Sequence, residues 1–150
     1  MLELWALQKK LDIILLQETR INQAGMERRR HYTLFFSEND AQGEPTYAGV
    51  AIMVKNTILD SILEINPIDD RLMSITLKGA VHTTFINTYM HTAKDTEDNL
   101  VRYNKLKDHF KKHKKMGPTF VGGDFNAIIT TELDNDGMRV VGKHCFDKDH

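Results

Sequence analysis

Four consecutive apolar positions, residues 13–16 (Ile-Ile-Leu-Leu), have the pattern of a strand covered on both faces. They follow a stretch in which Leu2, Trp5, Ala6 and Lys9 recur at helical spacing up to Asp12. The pattern predicts a helix feeding a buried strand. Residues 22–31 are polar, hold Gly25 and the run Arg28-Arg29-Arg30, and read as a loop; residues 33–37 read as a short strand, followed by a polar turn over 38–45. Residues 47–54 look like a core strand entered through Gly49, with a turn starting at Asn56. Residues 62–65 are predicted to pair with 71–77, where Leu72, Ser74 and Thr76 face one way and Met73, Ile75 and Leu77 the other, giving an antiparallel meander.

Downstream, residues 83–90 form another strand whose end releases Tyr89, His91 and Thr92 into a loop. Leu100, Tyr103, Leu106 and Phe110 then recur at three- and four-residue steps, predicting an amphipathic helix over 97–115 that Gly117-Pro118 stops. Residues 119–121 are a short apolar strand delivering Gly122-Gly123-Asp124, and beyond Thr131 no long apolar period continues. No internal repeat, low-complexity tract or interdomain linker interrupts the chain. Strand pairs interleaved with helices in this order predict an α/β layered fold with a mixed, mostly antiparallel sheet.

Composition narrows the function classes. At 150 residues and 41% hydrophobic, the chain has the apolar mass for one ordinary domain core. Its 20 basic and 21 acidic residues nearly cancel, so bulk charge does not mark it as a nucleic-acid binder. The single Cys145 excludes an intramolecular disulfide framework and a multi-cysteine zinc site, and fits an intracellular, reducing compartment. No stretch approaches the roughly twenty apolar residues that cross a bilayer, and residues 1–5 lack signal-peptide form, so no membrane partner is expected. His82, His91, His109, His113 and His144 have no zinc-ligand spacing, and no motif for acyl transfer or P-loop phosphate binding occurs.

The candidate chemistry lies at two strand ends about a hundred positions apart: Leu15-Leu16-Gln17-Glu18-Thr19 and Val121-Gly122-Gly123-Asp124-Phe125-Asn126. A strand end is rigid on one side and open to solvent on the other, so two of them can hold two carboxylates around a hard cation, an arrangement suited to phosphodiester hydrolysis. Each residue also has a purely structural reading: Glu18 as a strand cap, Asp124 and Asn126 as turn formers, Tyr89 as a sheet aromatic. The basic run Lys111-Lys112-His113-Lys114-Lys115 ends a helix, where cations complement the carbonyl end of the dipole. Arg28, Arg29 and Arg30 follow the Glu18 strand and are expected near the mouth of a cleft, where fixed positive charge would steer a phosphate backbone.

Taken in order and spacing, these two acidic motifs and the Asn87-Thr88-Tyr89 strand end resemble the endonuclease/exonuclease/phosphatase superfamily. Within it they are most similar to the apurinic-like endonuclease domain of LINE-type non-LTR retrotransposons, a likeness shared by Asp70-Arg71-Leu72-Met73 and Val140-Val141-Gly142-Lys143. The resemblance spans nearly the whole chain. It implies a four-layer α/β sandwich of the DNase I-like type, here a single partial domain over 1–150 with its second sheet incomplete. It also implies a Mg²⁺-dependent (or Mn²⁺-dependent) nuclease that nicks DNA, linked in a full-length parent to a reverse transcriptase and acting in the nucleus.

By the same resemblance Glu18 is the metal ligand, Asp124 positions or deprotonates the attacking water, Asn126 orients that water or a phosphate oxygen, and Tyr89 donates to the phosphate. Asn126, two residues beyond Asp124, is expected on the same side of an extended segment. Thr19 and His91, with the positively charged run Arg28, Arg29 and Arg30, are the expected substrate-binding residues. Departures from the pattern are also specific. The family usually opens on an Asn-bearing strand and closes on Ser-Asp-His, whereas Asp149-His150 lies about two dozen residues after Asn126, too close to be that motif; His91 and Thr92 stand where the family has Pro-Asn or Pro-Thr. The chain therefore reads as truncated at both ends, with two expectations: little or no nuclease activity by itself, and apolar faces left exposed on strands 47–54 and 83–90. The alternative function is a non-catalytic remnant or binding module that keeps the fold only.

Overall fold

The apolar run at 13–16 does form a strand, β1 (Ile13–Leu16), but it lies at the edge of a sheet and is half-buried. The computed structural model describes residues 1–21, 23–37, 48–92 and 96–127; Tyr47, Val140 to Lys143, Cys145 and Asp149-His150 lie outside them. In chain order the elements are helix α1 (Leu2–Gln8), β1, β2 (Gly25–Arg28), β3 (Tyr32–Phe36), β4 (Ala51–Lys55), a 3₁₀ turn (Asn56–Ser61), β5 (Ile62–Asp69), β6 (Leu72–Leu77), β7 (Thr83–Tyr89), helix α2 (Thr96–His113) and β8 (Thr119–Asp124).

Among the described residues the strands form two four-stranded sheets, ordered β1-β4-β3-β2 and β5-β6-β7-β8. The first is wholly antiparallel; the second is an antiparallel meander from β5 to β7 closed by β8 parallel to β7, with α2 as the crossover that a parallel pair requires. The stretch expected as a loop over 22–31 contains β2, an exposed edge strand, because pairing with β3 satisfies its backbone without needing an apolar side chain.

The alternation along β6 sorts the core into layers. Met73 and Ile75 meet Val50, Ile52 and Val54 of the first sheet between the two sheets, joined by Phe35, Leu15 and Phe85. On the far side of the first sheet, Ala6 of α1 packs on Tyr32, Leu34 and Met53; on the far side of the second, Leu106 and Phe110 of α2 pack on Leu72, Ile86 and Val121. The order is helix, sheet, sheet, helix. The expected exposed faces on strands 47–54 and 83–90 are therefore not found: Ala51 to Val54 and Ile86 to Thr88 are buried, since each sheet covers the other's inner face. The periodic stripes are only half core. Leu100 and Tyr103 of α2 and Trp5 of α1 are exposed, and α2 docks instead through Leu106, Phe110 and two histidines.

Those histidines make the outer layer sensitive to acid. His109 Nε2 lies 2.8 Å from Ser74 Oγ, His113 Nδ1 lies 3.4 Å from Thr84 Oγ1, and the two rings are 4.4 Å apart. Burial lowers the His109 pKa to about 4, with the charges of His113 and Lys112 acting in the same direction and Glu64 opposing; burial also lowers His113. A folded-state pKa below the unfolded 6.5 means that the unfolded chain takes up the proton first. Stability is thus full above about pH 6.5 and is lost as pH falls toward 4. Urea unfolding of the native chain at pH 7 and pH 4.5 is expected to differ by about 1–2 kcal/mol more than in His109→Gln, allowing for solvent screening of the half-exposed ring. Equal pH dependence in the two proteins would refute this.

Candidate functional site

Three strands end on the same side of the sandwich. β1 runs out at Leu16, level with Ala51 and Phe36, while β7 and β8 run out in parallel register with Tyr89 opposite Asp124. The two sheets are bolted together just behind these ends by one buried side chain. Asn87 donates from Nδ2 to the Leu16 and Ala51 carbonyls (2.8 Å each) and accepts at Oδ1 from Gln17 Nε2 (2.6 Å). Sequence reading included Asn87 and Gln17 in motifs but gave neither a role; the available signal was an amide embedded in the apolar Phe85-Ile86 strand.

Glycines let the edges approach. A Cβ on Gly122 would lie 2.7 Å from Leu15 Cδ1, so with glycine here β8 approaches β1 without displacing the Leu15 side chain. Gly49, at φ +104°, faces Thr19, whose Oγ1 lies 2.5 Å from where a Cβ would stand. Thr19 N–H donates to the Gly49 carbonyl (3.1 Å), and the flanking Glu18 and Arg20 are both left-handed at φ 54°. Such backbone costs about 1–2 kcal/mol per non-glycine residue and is held here by the pairing on either side. It throws the Glu18 side chain outward, where Tyr89 donates its phenolic O–H to Oε1 at 3.0 Å. Burial raises the Tyr89 phenol above its ordinary value and the Glu18 carboxylate raises it further, with Arg71 opposing; the hydroxyl is a donor at neutral pH.

Asp124 closes a turn as well as ending a strand. Its Oδ1 accepts from Asn126 N–H at 2.8 Å, and Asn126, at φ 46°, donates its amide Nδ2 to the Met90 carbonyl at 2.7 Å. The expected extended segment through Asn126 is thus corrected: the chain folds back at Asp124, and the side chain is held by its nitrogen end.

Two further expectations are corrected. Thr19 Oγ1 is buried against Gly49, which removes it from contact with a ligand. Arg28, Arg29 and Arg30 lie at the other end of the first sheet from Glu18. Arg28 is level with Thr33, Val54 and Ile13, three residues along and three strands across from Leu16, roughly 17 Å at ordinary strand spacings. There Arg29 pairs with Glu27 (2.9 Å) and Asn56 holds the Arg29 and Arg30 carbonyls. β2 turns back into β3 at this point, so the run cannot follow β1 to the site. His91 follows Met90 immediately after β7, at the site's end of the sandwich.

Comparison with known proteins now bears on this geometry. The family described as "Endonuclease/Exonuclease/phosphatase family" matches residues 1–135. The chain belongs to that family. No curated protein matches the sequence. Among solved structures, TDP2 from C. elegans (16% identity, TM-score 0.58) and a truncated Caenorhabditis elegans TDP2 (17%, TM-score 0.57) are similar over 92% of this chain. The likeness covers 43% and 56% of those chains, so this chain spans about half their length. At such identities the likeness carries the fold, a DNase I-like α/β sandwich.

Endonuclease/exonuclease/phosphatase enzymes generally depend on a divalent metal. The donor set here fits a hard cation: Glu18 and Asp124 offer carboxylate oxygens, Asn126 keeps its amide oxygen, and Mg²⁺ commonly takes one or two carboxylates with water and substrate phosphate completing its shell. Among the described residues no three histidine, cysteine or acidic side chains cluster as a full protein cage. None of the described helices is long and apolar enough to cross a membrane.

Proposed function

We propose that this site hydrolyses phosphodiester bonds of DNA with Mg²⁺ or Mn²⁺, as the endonuclease of a LINE-type retrotransposon or of a host gene derived from one. The observation that carries the reading is the convergence of Glu18, Tyr89 and Asp124, from two different sheets, at one end of the sandwich, with the Tyr89 hydroxyl 3.0 Å from Glu18. Glu18 is the exposed carboxylate that would hold the metal, which when bound supplies positive charge to offset that building on the phosphate. Tyr89 donates a hydrogen bond at the same point. Asp124 takes the role of orienting or deprotonating water, and Asn126 presents its amide oxygen beside it. His91 is the proposed substrate contact in the following loop. The domain over 1–150, a linked reverse transcriptase and nuclear location belong to the same proposal.

A second reading, a fold-retaining module without catalysis, draws on one observation: Asp124 spends an oxygen on its own turn and Asn126 its amide nitrogen on the Met90 carbonyl. Nicking of supercoiled plasmid distinguishes the two. With Mg²⁺ and EDTA controls, nicking by the folded chain alone is expected to be weak though above the EDTA control, and Glu18→Gln or Asp124→Asn to abolish it. No nicking above the EDTA control from a folded chain would establish the second reading.

A further inference from the structure

Directly beside the site, in a part of the fold to which the proposed chemistry assigns no role, three cations share two carboxylates. Lys105 Nζ lies 2.7 Å and Arg102 3.3 Å from Asp69; Arg102 also reaches Asp70 at 3.3 Å, and Arg71 Nε lies 3.6 Å from Asp70. Three positive and two negative groups leave one positive charge in excess. Burial pushes the Asp69 carboxyl up, but hydrogen bonds from Lys105 and the Arg71 N–H and the charge of Arg102 outweigh it, so it is ionised at neutral pH.

This cluster grips the short turn between β5 and β6 from three directions. Its ion pairs tie the turn to α2, Gly49 N–H donates to the Asp70 carbonyl from the first sheet (2.9 Å), and Tyr89 N–H donates to the Arg71 carbonyl from β7 (2.8 Å). What the turn presents to the site is the Arg71 guanidinium. Its Cζ lies 4.5 Å from the centroid of the Tyr89 ring, its side chain is only 15% exposed, and its Nε is buried without a hydrogen-bond partner. A guanidinium this desolvated over an aromatic face is attracted to the ring's negative quadrupole, which selects one ring orientation.

We propose that Arg71 is a positioning residue of the phosphoester site. Stacked on Tyr89, it holds the ring so that the hydroxyl meets Glu18, and the Asp69-Asp70-Arg102-Lys105 cluster anchors it to α2. The inference rests on the phosphoester reading for its catalytic consequence, though the ring placement stands independently of it. The chain has four tyrosines, so ring-labelled tyrosine gives a spectrum in which Tyr89→Phe identifies the Tyr89 signal. In Arg71→Met the Tyr89 ring signal is expected to shift and sharpen toward that of a freely flipping ring, with the Tyr32 signal unmoved. Arg71→Lys, which keeps the pair with Asp70 and hence the turn, recovers part of the native position.

In Mg²⁺-dependent hydrolysis of bis(4-nitrophenyl) phosphate, Arg71→Met is expected to lower kcat by about 10- to 100-fold with KM within about threefold, and Arg71→Lys to fall between it and the native chain. In a Tyr89→Phe background the same change should cost less than about threefold, because the two side chains act as a unit. An unmoved Tyr89 signal in Arg71→Met would overturn the proposal, as would additive losses in the double variant. A responsive Tyr89 signal in a chain that hydrolyses nothing would uphold the positioning and overturn the hydrolytic reading alone.

Discussion

Alanine at Gly123 is expected to destabilise the chain by about 3 kcal/mol or more and to abolish any activity of the site. At φ +143° the residue adopts backbone that side chains rarely accept, and a Cβ there would overlap the Thr88 carbonyl oxygen and stand 2.8 Å from its carbon and 2.9 Å from its nitrogen. All three contacts are backbone, so no rotamer change relieves them; β7 and β8 must separate at the pair Thr88–Gly123. That pair sits one residue behind Tyr89 and Asp124, so the same strain that weakens the sheet pulls the hydroxyl and the carboxylate apart. For a domain with a net stability of about 5–15 kcal/mol the loss is a large fraction of the whole. The control is Gly25→Ala on β2, where no atom lies within 4 Å and the expected change is within about 0.5 kcal/mol. Urea denaturation of the two variants checks the contrast, and similar midpoints would refute it.

The second large effect is expected from Asn87→Leu, which preserves side-chain volume while removing every polar contact between the sheets at this point. The Leu16 and Ala51 carbonyls lose their cross-sheet donor and Gln17 loses its acceptor, in a position with no solvent exposure to compensate. A cost of about 2–4 kcal/mol follows from buried polar groups left unpaired. Gln17→Ala removes one of the three bonds from a half-buried position and is expected to cost about 1 kcal/mol. The functional consequence should exceed the thermodynamic one, since Asn87 is what keeps the Glu18 end of β1 against the Tyr89 end of β7. A folded Asn87→Leu chain is expected to lose the 3.0 Å alignment between those side chains. Equal stability of Asn87→Leu and native chain in urea would show that the bridge carries no weight.

The β5–β6 pairing and the two faces of β6 are legible, because alternation at a period of two reports directly which side of a strand is covered, whereas the pairing of β6 with β7 is not. The pair of strand-end carboxylates was legible because short motifs at the ends of apolar runs need no tertiary information. β2 was missed because an exposed edge strand carries no apolar signature. The placement of Arg28 to Arg30 was missed for a related reason: a run of charge states its sign but not its address, and the hairpin of β2 and β3 carries it to the far end of the sheet. Arg71 resembles part of a family pattern without any visible task, since the Tyr89 ring it stacks on is remote in sequence.

By itself, the order of residues determined the element types other than β2, the layered α/β class and the two acidic strand ends, all of which depend on local periodicity and on side chains a few positions apart. Tertiary structure decided which strand ends meet. It separated the described strands into two sheets, made Asn87 a bridge between them, and brought Glu18 to the Tyr89 hydroxyl across a gap of 71 positions. Those contacts depend on how closely the two sheets approach at Gly122 and how closely β7 and β8 pair at Gly123, and on hydrogen bonds that have no sequence period.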